Sequence, residues 1–135
     1  MTRRKHHDPE YVLHVFHHHD ERTQQKSIAF VLETAKEFTN FNYQILLEAS
    51  LYSNTILLRV LGLQTTPLTM PGVGAARGRA DFVDLHGSYI LNVVKLDGET
   101  NQFRLHFTPT RISVEAAPPQ PFVLVSHEPV QLQES

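Results

Sequence analysis

Cysteine is absent from this 135-residue chain, which excludes disulfide staples, zinc ribbons, iron–sulfur clusters and thiol catalysis together. Long apolar runs are absent too, and none approaches the roughly 20 consecutive residues of a membrane-spanning helix. The opening segment from Met1 to Glu10 is polar and lacks the apolar core of a signal peptide. A cytoplasmic setting is therefore the expectation. Twelve Lys and Arg against fourteen Asp and Glu leave a net charge of -2, so no general electrostatic pull toward nucleic acid or an anionic membrane is expected. Catalytic motifs are missing as well. No serine sits in a Gly-x-Ser-x-Gly elbow, and no His-Glu-x-x-His or Gly-Lys-Ser/Thr ending is present.

What is present is a globular balance, 41% apolar and 19% charged residues, in a length that suits one domain with its own core. Nine histidines are the compositional oddity, since unperturbed imidazole titrates near pH ~6.5. Residues 1–9 read as a mobile basic tail, 10–127 as a single α+β domain and 128–135 as a flexible C-terminal tail.

Tyr11, Leu13 and Val15 alternate with Val12, His14 and Phe16, the period of a strand. Ile28, Val31, Leu32, Ala35 and Phe38 then recur at helical spacing, with Glu21, Lys26, Glu33 and Lys36 among the polar positions. Asp20 suits the N-cap, so one amphipathic helix is predicted from there to about Phe38. Residues 43–61 read as a hairpin broken at Ser53-Asn54. Residues 62–80, punctuated by Gly62, Pro67, Pro71, Gly72, Gly74 and Gly78, read as a long irregular loop. Strands follow over Tyr89–Leu96, Phe103–Phe107, Ile112–Ala116 and Phe122–Val125, with a turn at Asp97-Gly98 and a stiff Pro118-Pro119-Gln120-Pro121 connection.

The predicted order is β-α-β-β-loop-β-β-β-β: one helix packed on a mainly antiparallel, curled sheet of six to seven strands. A single helix cannot cover both faces of so many strands. The sheet must curl around it, close partly into a barrel, or be covered by a second copy of the chain.

The densest chemistry is His14 followed by His17, His18, His19, Asp20 and Glu21, a set able in principle to ligate zinc or another divalent transition metal. An extended segment would put His14 and His18 on one face and His17 and His19 on the other; a helical one would gather His14, His17 and His18. The plainer reading is a polar strand end beside a helix cap. A second candidate is the glycine-rich stretch from Pro71 to Arg79, where Arg77 and Arg79 suit a phosphate or carboxylate. Arg104 and His106 share one strand face and could line a binding surface, while His86, Asn92, Arg111 and the Asp81/Asp84 pair carry weaker signals.

These readings lead to a non-enzymatic binding or assembly module. It would act through its sheet, its strand edges and the 62–80 loop, with no cofactor and with a protein partner or a homodimer. The alternative is a metal-binding protein or metal-dependent hydrolase centred on His14–Glu21, and a third is anion binding by the Gly-Arg loop.

Overall fold

The structure, a computed structural model, describes residues 9–38, 43–65 and 74–131. The predicted helix is a strand. Ile28, Ala29, Phe30, Val31 and Leu32 are five consecutive apolar residues, and all five are buried. A run of that length, rich in β-branched and aromatic side chains, fits a strand covered on both faces as well as it fits a helix. Here Ile28, Phe30 and Leu32 point into the main core, while Ala29 and Val31 belong to a small second cluster on the opposite face. The capping signal at Asp20 has a related explanation. Its Oδ1 accepts the amides of Arg22 at 2.9 Å and Thr23 at 3.4 Å, the bond a helix cap would make, but here it closes a hairpin turn.

The described residues contain nine strands and no helix, so the expected α+β class is corrected to all-β. In chain order they are β1 (Tyr11–Asp20), β2 (Gln25–Phe38), β3 (Tyr43–Tyr52), β4 (Thr55–Thr65) and β5 (Gly74–Phe82). Then come β6 (Gly87–Val94), β7 (Thr100–Phe107), β8 (Ile112–Ala116) and β9 (Val123–Ser126). The long loop expected over 62–80 is largely strand: β4 continues to Thr65 and β5 begins at Gly74. Its centre, 66–73, lies outside the described residues, as do positions 1–8 and 132–135.

All nine strands form one sheet in the order β8-β7-β6-β4-β3-β5-β2-β1-β9. The sheet is mixed, because β1–β9, β3–β5 and β4–β6 run parallel and the other neighbours antiparallel. It curls on itself into a nearly closed barrel. Alternate residues of most strands fill the interior, with Leu13, Phe30, Leu32, Ile45, Ile56, Leu58, Leu91, Leu105 and Phe107 almost fully buried. Phe30 sits among them, edge-on to Phe82 at 5.5 Å and to Phe107 at 6.3 Å between ring centroids. These are favoured aromatic geometries, each worth about 1 kcal/mol beyond burial. With the sheet covering itself, the sequence-based reason for invoking a second copy as the missing cover disappears.

β3 and β5 approach closely and share a single registered pair, Gln44 with Arg77. Gly78 lies against β3 there, and a Cβ on it would stand 2.8 Å from the carbonyl oxygen of Ile45. At the opposite side the barrel has a seam. β8 and β9 are the two edges of the sheet and do not pair with each other. Pro118, Pro119 and Pro121 lie in the segment joining them, which suits unpaired edges because proline offers no amide to a ladder.

Side chains bridge the base of this seam. Asn101, the one buried polar residue among those described, accepts the amides of Phe122 at 2.8 Å and Val123 at 3.3 Å on its Oδ1. The Phe122 carbonyl in turn accepts the amides of Glu10 and Tyr11. Lys95 adds ion pairs to Glu10 at 2.5 Å and Glu99 at 3.3 Å, with its ammonium 4.9 Å from the Phe122 ring. The hydrogen bond to Glu10 is the main reason its pKa lies above the ordinary lysine value.

A groove at the top of the seam

β1 stays extended through Asp20, so its histidines alternate between faces. His14 lies on the outer face, where its Nε2 is 3.2 Å from Glu33 Oε1 on β2. The other Glu33 oxygen accepts from Arg77 Nε of β5 at 2.7 Å, a pairing set directly by the β2–β5 register. Burial works to raise the Glu33 carboxyl, but the bonds from Arg77 and His14 outweigh it and hold the group below the ordinary glutamate range. His17 projects the other way and donates from Nε2 to the Thr108 carbonyl at 3.1 Å. His18 pairs in register with Ser27 on β2. His19 lines a hollow of about 320 Å³ at the hairpin tip with Asp20, Glu21 and Arg22. The Asp20 carboxylate is held below its usual range chiefly by the Arg22 amide. Among the described residues, no three His, Asp or Glu side chains converge in a way that could hold a metal ion.

The two arginines of the glycine-rich stretch stand on β5 and are both engaged. Arg77 is bound to Glu33, and Arg79 holds Asp81 through Nε at 2.6 Å and Nη2 at 3.1 Å. Ser27 donates to the same carboxylate at 2.8 Å. Burial pushes the Asp81 carboxyl upward, and the Arg79 and Ser27 bonds overcome it, leaving a net lowering. On β7, Arg104 and His106 do share the outer face. His106 Nδ1 lies 3.1 Å from Ser88 Oγ, which donates to Glu115. His86 bonds the Asp84 carbonyl within the turn before β6.

A different set of residues forms a groove. Phe16 and His17 of β1, Thr110, Arg111 and Ile112 at the entry to β8, and His127 and Pro129 after β9 line a hollow of about 350 Å³. It opens where β1 runs past its pairing with β9, which spans only Tyr11 to His14. Reciprocal backbone bonds between Thr108 and Arg111 make a tight turn, and the Thr108 hydroxyl donates to the Arg111 carbonyl. That turn delivers Arg111 to the rim. Its guanidinium makes no hydrogen bond or ion pair with the described residues. Phe16, Ile112 and Pro129 supply an apolar floor, His17 and His127 two imidazoles, and no carboxylate lines it among the described residues.

Sequence reasoning singled out His17 for metal and Arg111 only as a solvated strand residue, and it missed His127. The segments concerned are separated by about ninety and fifteen positions, and no spacing rule links them; only the sheet order does. Comparison with protein-family models, with curated proteins and with solved structures finds no match for this chain.

Proposed function

We propose that the chain is a non-enzymatic binding module, and that the groove at the top of its seam takes an anionic group attached to an apolar one, of the aryl or alkyl carboxylate class. One observation carries this reading: among the described residues, a guanidinium without a bonded partner stands beside two imidazoles over an apolar floor, with no carboxylate in the lining. A planar guanidinium matches a carboxylate in bidentate fashion. The apolar floor rewards the remainder of the ligand, as in small-molecule sites where a few polar groups fix orientation. Recognition is favoured over turnover because the described lining residues include no carboxylate base, and the His17 Nε2 hydrogen is committed to Thr108.

The test is a titration with phenylacetate, inorganic phosphate and benzyl alcohol, followed by amide and imidazole NMR shifts. Phenylacetate should bind with a Kd on the order of 1 mM, as suits so few heavy atoms. Its shifts should centre on residues 16–17, 110–112 and 127–129, with the other two probes at least several-fold weaker. Arg111→Gln should weaken phenylacetate about tenfold. Shifts scattered over the surface, or an Arg111→Gln variant that binds like the parent, overturn the reading.

A further inference from the structure

One wall of the groove is made by residues that belong to no strand. After Ser126 the chain leaves the sheet, and the segment 127–131 lies back across the outer face of β1, β2 and β5. It is held there in two ways. Val130 packs on Phe16, Ala29 and Val31, and the Gln131 carbonyl accepts from Arg77 Nη1 at 3.0 Å. Among the described residues, the segment's other hydrogen bond to the barrel is at its root, where the Glu128 amide donates to the Ser126 hydroxyl at the end of β9 at 3.1 Å. Segments with so few clasps open at low free-energy cost.

Arg77 is itself aimed. Its Nε is fixed by Glu33, whose second oxygen is engaged by His14. Phe16 is common to both places, since it floors the groove and lies under Val130.

We infer that residues 127–131 form a movable strap serving as the third wall of the groove, and that Arg77, oriented by Glu33 and His14, is the positioning residue that clamps it. This rests on the groove being a ligand site. Arg77 does not line the groove; it acts through the strap, by bringing His127 and Pro129 to the rim. A ligand that contacts the docked strap favours docking, and docking favours the ligand by the same factor. The ligand class remains an anion with an apolar part, and the strap adds an imidazole and closes the apolar side.

The experiment is a cycle of four proteins: the full chain, Arg77→Gln, a chain ended after Ser126, and the two changes together. Phenylacetate affinity is the first readout. Arg77→Gln should weaken it three- to tenfold, and truncation at least as much. In the truncated chain Arg77→Gln should have no further effect, because the residue then has nothing to clamp. Arg77→Lys, which keeps the charge and one donor, should recover part of the loss. An equal effect of Arg77→Gln with and without the strap overturns the inference, since it would mean a general structural role.

The second readout needs no ligand: the Val130 methyl shifts and the amide exchange rates of residues 127, 128, 130 and 131. In Arg77→Gln these should move toward the values of a free chain while the strands keep their protection. Unchanged Val130 methyls overturn the clamp. A full chain that docks its strap but ignores phenylacetate overturns the groove reading and the coupling built on it, while leaving the clamp measurable on its own.

Discussion

Asn101 is a severe test of how this barrel closes. Its Oδ1 is the acceptor for the Phe122 and Val123 amides, at 2.8 and 3.3 Å. All three residues are buried, with Asn101 5% exposed and Val123 fully enclosed. Asn101→Ala removes the acceptor and leaves two amide donors where water cannot reach them. A buried donor without a partner costs about 1–3 kcal/mol. Taking the shorter bond near the middle of that range and the longer one near its foot gives a loss of about 3 kcal/mol. For a domain of this size that corresponds to a fall in Tm of roughly 10 °C.

Thermal and urea unfolding followed by far-ultraviolet circular dichroism would measure both quantities. The m-value should stay constant, because the surface exposed on unfolding is nearly the same. Asn101→Leu separates the two contributions, since it refills the space but still orphans the amides, and it should remain well below the parent in stability. Gln102→Ala is the matched control: one position along, exposed, and with a side chain that among the described residues bonds Asn92 alone, on the outer face. It should cost about 0.5 kcal/mol or less. If Asn101→Ala loses no more than this control, the seam is not held by that side chain and the account of closure fails.

Gly78→Ala should destabilise by about 2 kcal/mol, the scale of overpacking a tight contact, because the new Cβ would meet the backbone of Ile45 at 2.8 Å. Amide exchange should show the loss concentrated where β3 meets β5, and an alanine variant as stable as the parent would refute the close approach. Acid should destabilise the fold through Glu33 and Asp81, both held below their ordinary values by arginine and hydroxyl or imidazole partners despite partial burial. Their contribution is fully present above the unfolded carboxyl range near pH ~4 and is lost as pH falls through the lower folded values. Urea midpoints should therefore drop between pH ~5 and ~3, less steeply in a Glu33→Gln, Asp81→Asn double variant; a midpoint flat or rising over that window contradicts the pairing.

The second half of the chain was legible because each strand there alternates cleanly and each break has turn chemistry. Gly98 takes a φ of 93° in the turn between β6 and β7, and Asp97 accepts the Glu99 amide. The hairpin of β3 and β4 turns at Ser53, where φ is 55°. The failure lay in β2, and its cause is specific. Any unbroken apolar run satisfies the helical template at i, i+3 and i+4, so Ile28, Val31 and Leu32 matched it while Ala29 and Phe30 between them went unweighed. Those two are as deeply buried as the rest. The second cover that makes this possible comes from Phe16 and from Val130, about a hundred residues later in the chain. Gly74 and Gly78 looked like loop punctuation for a similar reason. In fact Gly78 belongs to a strand whose neighbour lies too close for a side chain.

The candidate site shows the same dependence on distant pairing. Arg77 and Arg79 drew attention through their glycine neighbours, yet both have carboxylate partners: Glu33 directly across the β2–β5 ladder, and Asp81 two residues along the same face of β5. Strands inside a sheet have neighbours on both sides to supply such partners. Arg111 stands at the entry to β8, an edge of the sheet, so only one side of it is occupied by a strand. Its guanidinium makes no bond with the described residues, and neither does that of Arg104 on β7, a strand with neighbours on both sides. The histidines divide in the same way: extension sends His14 to a carboxylate on the outer face and His17 to a carbonyl at the seam, so a cluster in sequence becomes two unrelated environments. Whether a charged residue has a partner thus depends on side chains that its own sequence neighbours do not reveal. At the seam the strand order sets Arg111 next to an apolar floor.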